Sequence, residues 1–472
     1  MGFVFYDTET TGTDTSFDQV LQFAAIHTDF QFNELGRFER RCRLLPHVVP
    51  APGAMRVTKV TAAQLTDPSL PSHYEMICDI RQQLLAWSPA LFVGYNSVDF
   101  DEHLLRQAFY KTLHPPYLTN TNSNSRSDAL RIAQATSIFV PDALLIPTDE
   151  EGQNVFKLDQ LAPLNGFVHD RAHDAMADVE ATIFLCRLIA DKAPEVWSSF
   201  MRFSQKAAVA DHIAAERVFC LSDFYFGKPY SWLVTTLGTN PAISSEFYVY
   251  NLAIAPEEII GLTDEDLVER LAYLPKPVRR LKTNACPMLA SLEDAPSICS
   301  ASSLDTAELN RRADLIQADQ AFRERLIKAF ELTRDQREPS PHIEEQLYDS
   351  FFPREDEALM QQFHLVPWED RLPLVTALKD RRLRQIGLRL IYTERADLLE
   401  ALERERYDRA LAIRIMGQDA VVPWLTLPKA LADLDELLDA TEPSLASLLR
   451  EHRDLLSQRL ATAIGKLEIE AA

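Results

Sequence analysis

Two carboxylates, Asp7 and Glu9, close the apolar run Val4-Phe5-Tyr6 with a single residue between them. In an extended strand residues i and i+2 point to the same face, so this spacing projects both acids together. Side by side they repel, and each resists ionisation unless a positive charge sits between them. A hard divalent cation such as Mg²⁺ is the natural counter-charge. The same Asp-x-Glu also suits an edge strand with two solvated acids, so further acids reaching the same point are needed to decide.

Two downstream segments supply them. Leu91-Phe92-Val93-Gly94-Tyr95-Asn96 reads as a short buried strand ending in a turn, and Asp101 heads a helical pattern that runs to Lys111. A carboxylate at that junction can face the end of a neighbouring strand, although the position also suits a helix N-cap. His173-Asp174-Ala175-Met176-Ala177-Asp178 then opens a helical run through Ile189, with Val179, Ile183, Leu185 and Ile189 as apolar positions. His173 and Asp178 lie about 140° apart on an ideal helix. One of them therefore belongs at or before the helix start, free to turn toward the acids. Alone, His173 reads as a surface residue; the ordered set is far more specific.

Asp7-x-Glu9, Asn96-x-x-x-Phe100-Asp101 and His173-x-x-x-x-Asp178 together resemble the three sequence blocks of the DEDDh exonucleases. Within that superfamily the chain resembles the bacterial exonuclease I family. The runs from Phe5 to Thr10 and from His173 to Val179 carry the likeness, with Asn124-Ser125-Arg126-x-Asp128, and weaker similarity continues toward the C-terminal residues. The resemblance implies a ribonuclease-H-like mixed α/β exonuclease domain, a small SH3-like β-barrel domain and an α-helical C-terminal domain. It implies processive, Mg²⁺-dependent 3′-to-5′ hydrolysis of single-stranded DNA to nucleoside 5′-monophosphates, in DNA repair and recombination. Asp7, Glu9, Asp101 and Asp178 are then ligands of two Mg²⁺ ions, with Mn²⁺ a substitute, and His173 is the general base. Asp174 is a rival ligand, four residues before Asp178 on the same helical face, and ranks second because the family pattern uses the later position.

Substrate contacts follow from the same resemblance. They are Glu9, Lys157 in Phe156-Lys157-Leu158-Asp159 where the family usually has Arg, and Arg106, Tyr117, Arg126 and Lys206. Such basic and aromatic residues suit phosphate pairing and base stacking, and each equally suits a solvated surface. The chain departs from the family at Asn284-Ala285-Cys286-Pro287, where a lysine usually precedes Cys-Pro, and in residues 119–122, which lack the expected aromatics. The family also binds the acidic, Phe-terminated tail of single-stranded DNA-binding protein, for which Lys276, Arg279, Arg280 and Lys282 are a candidate surface. Lys379, Arg381, Arg382, Arg384 and Arg389 lie on a predicted helical stretch that could face a DNA channel. Two other functions stay open: an exoribonuclease of the same superfamily, since the five catalytic residues cannot read a 2′-hydroxyl, and a catalytically silent single-stranded-DNA-binding module.

The chain that must position these residues has 472 of them, too many for one ordinary core. Boundaries are expected to give residues 1–192, 193–345 and 346–472. Composition is that of a soluble globular protein, 46% hydrophobic and 25% charged. The net charge of −22 argues against a polyanionic ligand only in sum, because screening makes local clustering decisive. Six cysteines form no Cys-x-x-Cys pair and no zinc-like array, as expected of reduced thiols in a cytoplasm. A strand from Phe3 leaves no room for a cleavable signal, and no apolar run spans a bilayer. A cytoplasmic monomer without membrane association is expected. Strands are predicted at 3–7, 20–28, 38–45 and 91–95, helices near 61–66, 73–87 and 101–111, and surface loops at 114–127 and 147–154. Further strands are predicted at 218–223, 230–237 and 246–252, and a leucine-rich helical face includes Leu449 and Leu456.

Overall fold

The strand Phe3–Thr10 (β1) is buried along its length except for partial exposure at Asp7. Its two faces enter different cores, as alternation requires. Val4 and Tyr6 pack with Met76, Ile77, Leu104 and Leu105, whereas Phe3 and Phe5 pack with Ala175, Val179 and Cys186. β1 is the middle strand of a sheet ordered β3-β2-β1-β4-β5. β2 (Val20–Thr28) and β3 (Glu34–Arg41) run antiparallel to their neighbours, and β4 (Leu91–Gly94) and β5 (Ser125–Asp128) run parallel. Helices α1 (His73–Trp87) and α2 (Asp101–Lys111) cover one face; α3 (Ala129–Phe139) and α4 (Ala175–Lys192) belong to cores on the other. This is the expected ribonuclease-H-like mixed α/β arrangement. The computed structural model describes residues 2–168, 174–334, 338–417, 421–440 and 443–468.

Two expectations in this part need correction. β3 occupies residues 34–41, not 38–45, because it is a charged edge strand whose place is set by pairing, from Glu34 opposite Thr28 to Arg41 opposite Gln22. The segment 114–127 is not all surface loop, since it leads into β5. All four residues of β5, Ser125-Arg126-Ser127-Asp128, are buried, with Arg126 held by Glu102 and Asp128 by backbone N–H groups.

Beyond α4 the helix Pro194–Phe203 still packs on the first core, with Val196 and Phe200 against Ile132, Leu185 and Ile189. Packing therefore crosses the boundary expected at residue 193. Five antiparallel strands follow, β6 (Phe219–Tyr225), β7 (Lys228–Thr239), β8 (Glu246–Asn251), β9 (Val278–Lys282) and β10 (Met288–Ser291), in the order β10-β6-β7-β8-β9. The β9–β10 turn docks on the exonuclease part. Arg126 donates to the Asn284 carbonyl at 3.2 Å, Arg131 to the Ala285 carbonyl at 2.7 Å, and Cys286 Sγ to the Arg126 carbonyl at 2.9 Å.

From residue 343 the chain is helical, and it too docks on the first part. Tyr110 and Gln107 of α2 donate to the carbonyls of Ile343 and Glu344, at 2.9 and 2.8 Å. The long helix Pro443–Glu468 returns to residues 46–65: His452 Nε2 lies 2.7 Å from the Val60 carbonyl, and Arg459 donates to the carbonyls of Val48 and Pro46. Leu449 and Leu456 are buried in its core. Among the described residues no helix is long and apolar enough to cross a membrane.

The basic stretch at 379–389 is not the uniform exposed face expected of it. Its helix begins at Arg381, with Asp380 as cap, so Lys379 lies outside it and pairs with Glu355. Arg382 is buried against Asp380 and Phe352, Arg384 donates to the Leu378 carbonyl, and Arg389 pairs with Glu344 at 2.6 Å; Arg381 is exposed. Glu344 is 3% exposed and also binds Arg414 at 3.0 Å, and these two guanidinium groups hold its carboxyl well below the usual range. Replacing it leaves two cations without their shared partner. We expect Glu344→Ala to lower unfolding free energy by about 3 kcal/mol, the low end for a buried pair because Arg389 keeps some solvent access. The shift in urea midpoint at unchanged slope measures it.

Candidate active site

Asp7 and Glu9 follow Phe5 on the face of β1 that packs against α4, at register positions opposite Ala24 and Gln22. Asp178 lies in the first turn of α4. One carboxylate oxygen from each of Asp7, Glu9 and Asp178 falls within 4.8 Å of the others. Asp101 is the first residue of α2 and is 4% exposed. It does not cap its helix: the N-cap is Phe100, and Asp101 Oδ1 instead accepts from the Thr8 backbone N–H at 3.1 Å and from its hydroxyl. The residue between the two β1 acids thus tethers the third acid beside them.

Asp174 is held elsewhere. It is the N-cap of α4, accepts from Ala177 N–H, and binds Arg41 at 2.9 Å and Gln22 at 3.4 Å. That fixes the first turn of α4, and with it Asp178, against β2 and β3. His173 lies outside the described residues.

Among the described residues the electrostatics are dominated by repelling acids. Burial pushes the Asp7 carboxyl well above its ordinary value, and Asp101, Asp178, Glu9 and Asp174 push it further. Glu9 is raised to about 8, first by burial and then by Asp178, Asp101 and Asp174, with Arg41 opposing. Asp101 is raised to about 7 by burial, against the bonds from Thr8. Hard oxygen donors under mutual repulsion are the donor set that Mg²⁺ or Mn²⁺ accepts, so these residues fit a divalent cation.

The remaining candidates separate into groups. Arg106 and Arg126 both bind Glu102, which is 1% exposed, at 2.9 and 3.1 Å, and Thr119 and Tyr6 donate to the same carboxylate. Tyr117 lies under the Arg106 guanidinium. These three therefore belong to a polar core behind α2, where Glu102 already engages both guanidinium groups. Lys157 is exposed at the start of the helix Leu158–Leu164, next to Phe156, whose carbonyl accepts from Tyr95 in the turn after β4 at 2.6 Å. Lys206 reaches Ser244, at 3.4 Å. Lys276, Arg279, Arg280 and Lys282 line a groove of about 370 Å³ with Tyr225, Trp232 and Arg131, although Arg279 stacks on Trp232 and Arg280 leans toward Glu246.

Sequence reasoning assigned no role to Thr8, Arg41, Glu102 or Asp128. Asp128 accepts from the backbone N–H groups of Asn96, Val98 and Leu130, at 2.9, 3.0 and 3.0 Å, and so fixes the turn that delivers Asp101. Its place in the Asn124-to-Asp128 match was the available signal.

Two family profiles match the chain, one described as Exonuclease over residues 4–185 and one as Exonuclease I C-terminal domain over residues 341–457. The chain carries the exonuclease domain and the C-terminal domain of exonuclease I. Exonuclease I relatives align along most of its length. Exodeoxyribonuclease I of Escherichia coli is 29% identical over 386 residues, 76% of this chain and 78% of the relative. That of Buchnera aphidicola from Schizaphis graminum is 29% identical over 421 residues, 82% of each. Among solved structures, E. coli exonuclease I in complex with a dA16 oligonucleotide superposes with a TM-score of 0.85 at 23% identity, over 97% of this chain and 99% of that one. The moderately thermophilic exonuclease I of Methylocaldum szegediense gives 0.84 at 25%, over 98% and 99%. The enzyme is an exonuclease.

The raised carboxyls give a pH test. Free acids ionise near 4, whereas the metal-free fold keeps Glu9 and Asp101 protonated to about 8 and about 7. Within that window the folded state binds more protons than the unfolded one, so these groups lower unfolding free energy as pH rises. Asp7→Asn removes part of the repulsion. In EDTA, its melting temperature should exceed that of the wild type by a margin that widens from about pH 4 to 8 and shrinks again in Mg²⁺. A constant margin across that range would reject the shared-charge account.

Proposed function

We propose that this exonuclease degrades single-stranded DNA from the 3′ end, with Mg²⁺ held by Asp7, Glu9, Asp101 and Asp178. The convergence of three carboxylate oxygens within 4.8 Å, with Asp101 tethered beside them, is the observation that carries the reading. Bound divalent ions would supply charge neutralisation on the phosphodiester and activation of water. The chain's own residues do the rest. His173 takes the proton of the attacking water, a role suited to an ordinary pKa near 6.5. Lys157 binds the terminal phosphate as a point charge, without the fork of arginine. Hydrolysis releases a nucleoside 5′-monophosphate and leaves a new 3′ hydroxyl. Related structures of E. coli exonuclease I are described with dA16 and dT13 oligonucleotides, and one as a zinc-bound complex with single-stranded DNA, which supports both the substrate class and divalent-metal dependence.

The wider reading is a processive cytoplasmic monomer in DNA repair and recombination, whose groove beside Lys276, Arg280 and Lys282 receives the acidic tail of single-stranded DNA-binding protein. The runner-up is an exoribonuclease. End-labelled single-stranded DNA, duplex DNA and RNA, each with Mg²⁺ or EDTA, separate the two: preferential Mg²⁺-dependent loss of mononucleotides from single-stranded DNA supports the proposal, and preference for RNA overturns it.

Asp7→Ala should abolish turnover with the fold intact, because one ligand serves a shared site. Near-normal cleavage would remove Asp7 from the mechanism. His173→Ala should slow single-turnover cleavage by roughly 10²–10⁴-fold while metal affinity, followed by calorimetry, persists.

A further inference from the structure

A second group of potential ligands lies where the C-terminal helical part meets the exonuclease part. Cys78 is on α1, His114 follows α2, and His364 caps the helix Arg354–Phe363. The sulfur and one nitrogen from each imidazole fall within 4.8 Å of one another. We propose that Cys78, His114 and His364 form a second metal site, for Zn²⁺ or a similar borderline-soft divalent ion, that joins the two parts.

Three features of the geometry point there. First, Zn–S and Zn–N bonds of about 2.3 and 2.0–2.1 Å at a tetrahedral angle put sulfur and nitrogen roughly 3.5 Å apart. Cys78 Sγ and His114 Nε2 are 3.5 Å apart. Second, His364 is oriented as metal-binding histidines are, by a backbone carbonyl on its other nitrogen. Its Nε2 donates to the Leu113 carbonyl at 3.0 Å, which leaves the Nδ1 lone pair turned toward Tyr74 Oη, at 2.9 Å. Leu113 holds that carbonyl in place at a φ of +58°, in the left-handed region a leucine rarely adopts. Third, Tyr74 stands one helical turn before Cys78 on the same face of α1, and its hydroxyl, fixed by Arg371 at 2.8 Å, donates to His364 Nδ1, so a metal ion would take the place of that proton donor.

The donor types separate this site from the carboxylate cluster. Thiolate and imidazole select Zn²⁺ and its neighbours, whereas Mg²⁺ prefers oxygen. His114 is 4% exposed and stacks on His364 with ring centroids 3.7 Å apart, so both rings are held within a packed interface. On binding, the metal replaces the Cys78 thiol proton, which passes to solvent. Because His364 comes from the C-terminal part and the others from the first part, occupancy ties 364 to 78 and 114 and stabilises the docked arrangement.

The test uses the full chain carrying Asp7→Ala and Glu9→Ala, so that the carboxylate cluster does not compete. Titrated with Co²⁺, it should develop a thiolate-to-cobalt charge-transfer band that saturates at one equivalent and is bleached by Zn²⁺. Cys78→Ser in the same background should lose the band, and His364→Gln should weaken Co²⁺ affinity at least about tenfold, as loss of a ligand does. Independently of any variant at the site, Zn²⁺ in excess Mg²⁺ should protect Cys78 from alkylation, read by peptide mass spectrometry, and raise the melting temperature. The proposal is overturned if the folded protein shows no band, if Cys78→Ser leaves the band unchanged, or if Zn²⁺ leaves Cys78 as reactive as before.

Discussion

Repulsion among buried carboxylates is the constraint around which the first part of the chain is built. Asp7, Glu9, Asp101 and Asp178 gather around the middle strand β1, and burial makes the charges of Asp7, Glu9 and Asp101 costlier to hold. Among the described residues the scaffold answers with fixed dipoles at Asp101 and a charge beside Asp174. Thr8 supplies two donors to Asp101, Asp128 braces the turn that carries it, and Arg41 binds Asp174 at the mouth of α4. Asp7, Glu9 and Asp101 stay assembled under mutual repulsion, which a bound cation would relieve.

A second polar centre governs how the parts join. Glu102 follows Asp101 in sequence but points to the other side of α2, where it gathers Arg106, Arg126, Thr119 and Tyr6. Arg126 in turn reaches the β9–β10 turn, and Gln107 and Tyr110 on the same helix hold the start of the helical part. One helix thus carries a catalytic candidate at its first residue, holds the helical part directly through Gln107 and Tyr110, and reaches the β9–β10 turn through the Glu102–Arg126 pair. Movement of either part would be felt at α2.

What the sequence made legible was set by which signals are local. The Asp-x-Glu strand, the helix from Asp101 and the start of α4 each depend on a few consecutive residues, and the structure has them where spacing put them. β3 slipped because a charged edge strand carries no apolar pattern, and β5 was hidden because Ser125-Arg126-Ser127-Asp128 is buried through distant partners. Arg106 and Arg126 read as substrate contacts or solvated cations for the same reason: their partner, Glu102, is itself buried and gives no local cue. The Cys78, His114 and His364 cluster shows the limit most plainly. Its members are separated by 36 and 250 positions, so no motif spacing could announce them.

The return of the helix Pro443–Glu468 onto residues 46–65 bears on how the protein is made. His452 covers Val60 from 392 positions away, and Leu455 closes over Leu21, Met55, Val60 and Leu65. At a translation rate of roughly 5–20 residues per second, about 20–80 s separate the synthesis of residues 46–65 from that of the helix that covers them. The face joins Leu21 of β2 to Met55, Val60 and Leu65, so this side of the nuclease part is completed only by the C-terminal helix. The packing of this face therefore depends on a helix encoded almost four hundred codons later.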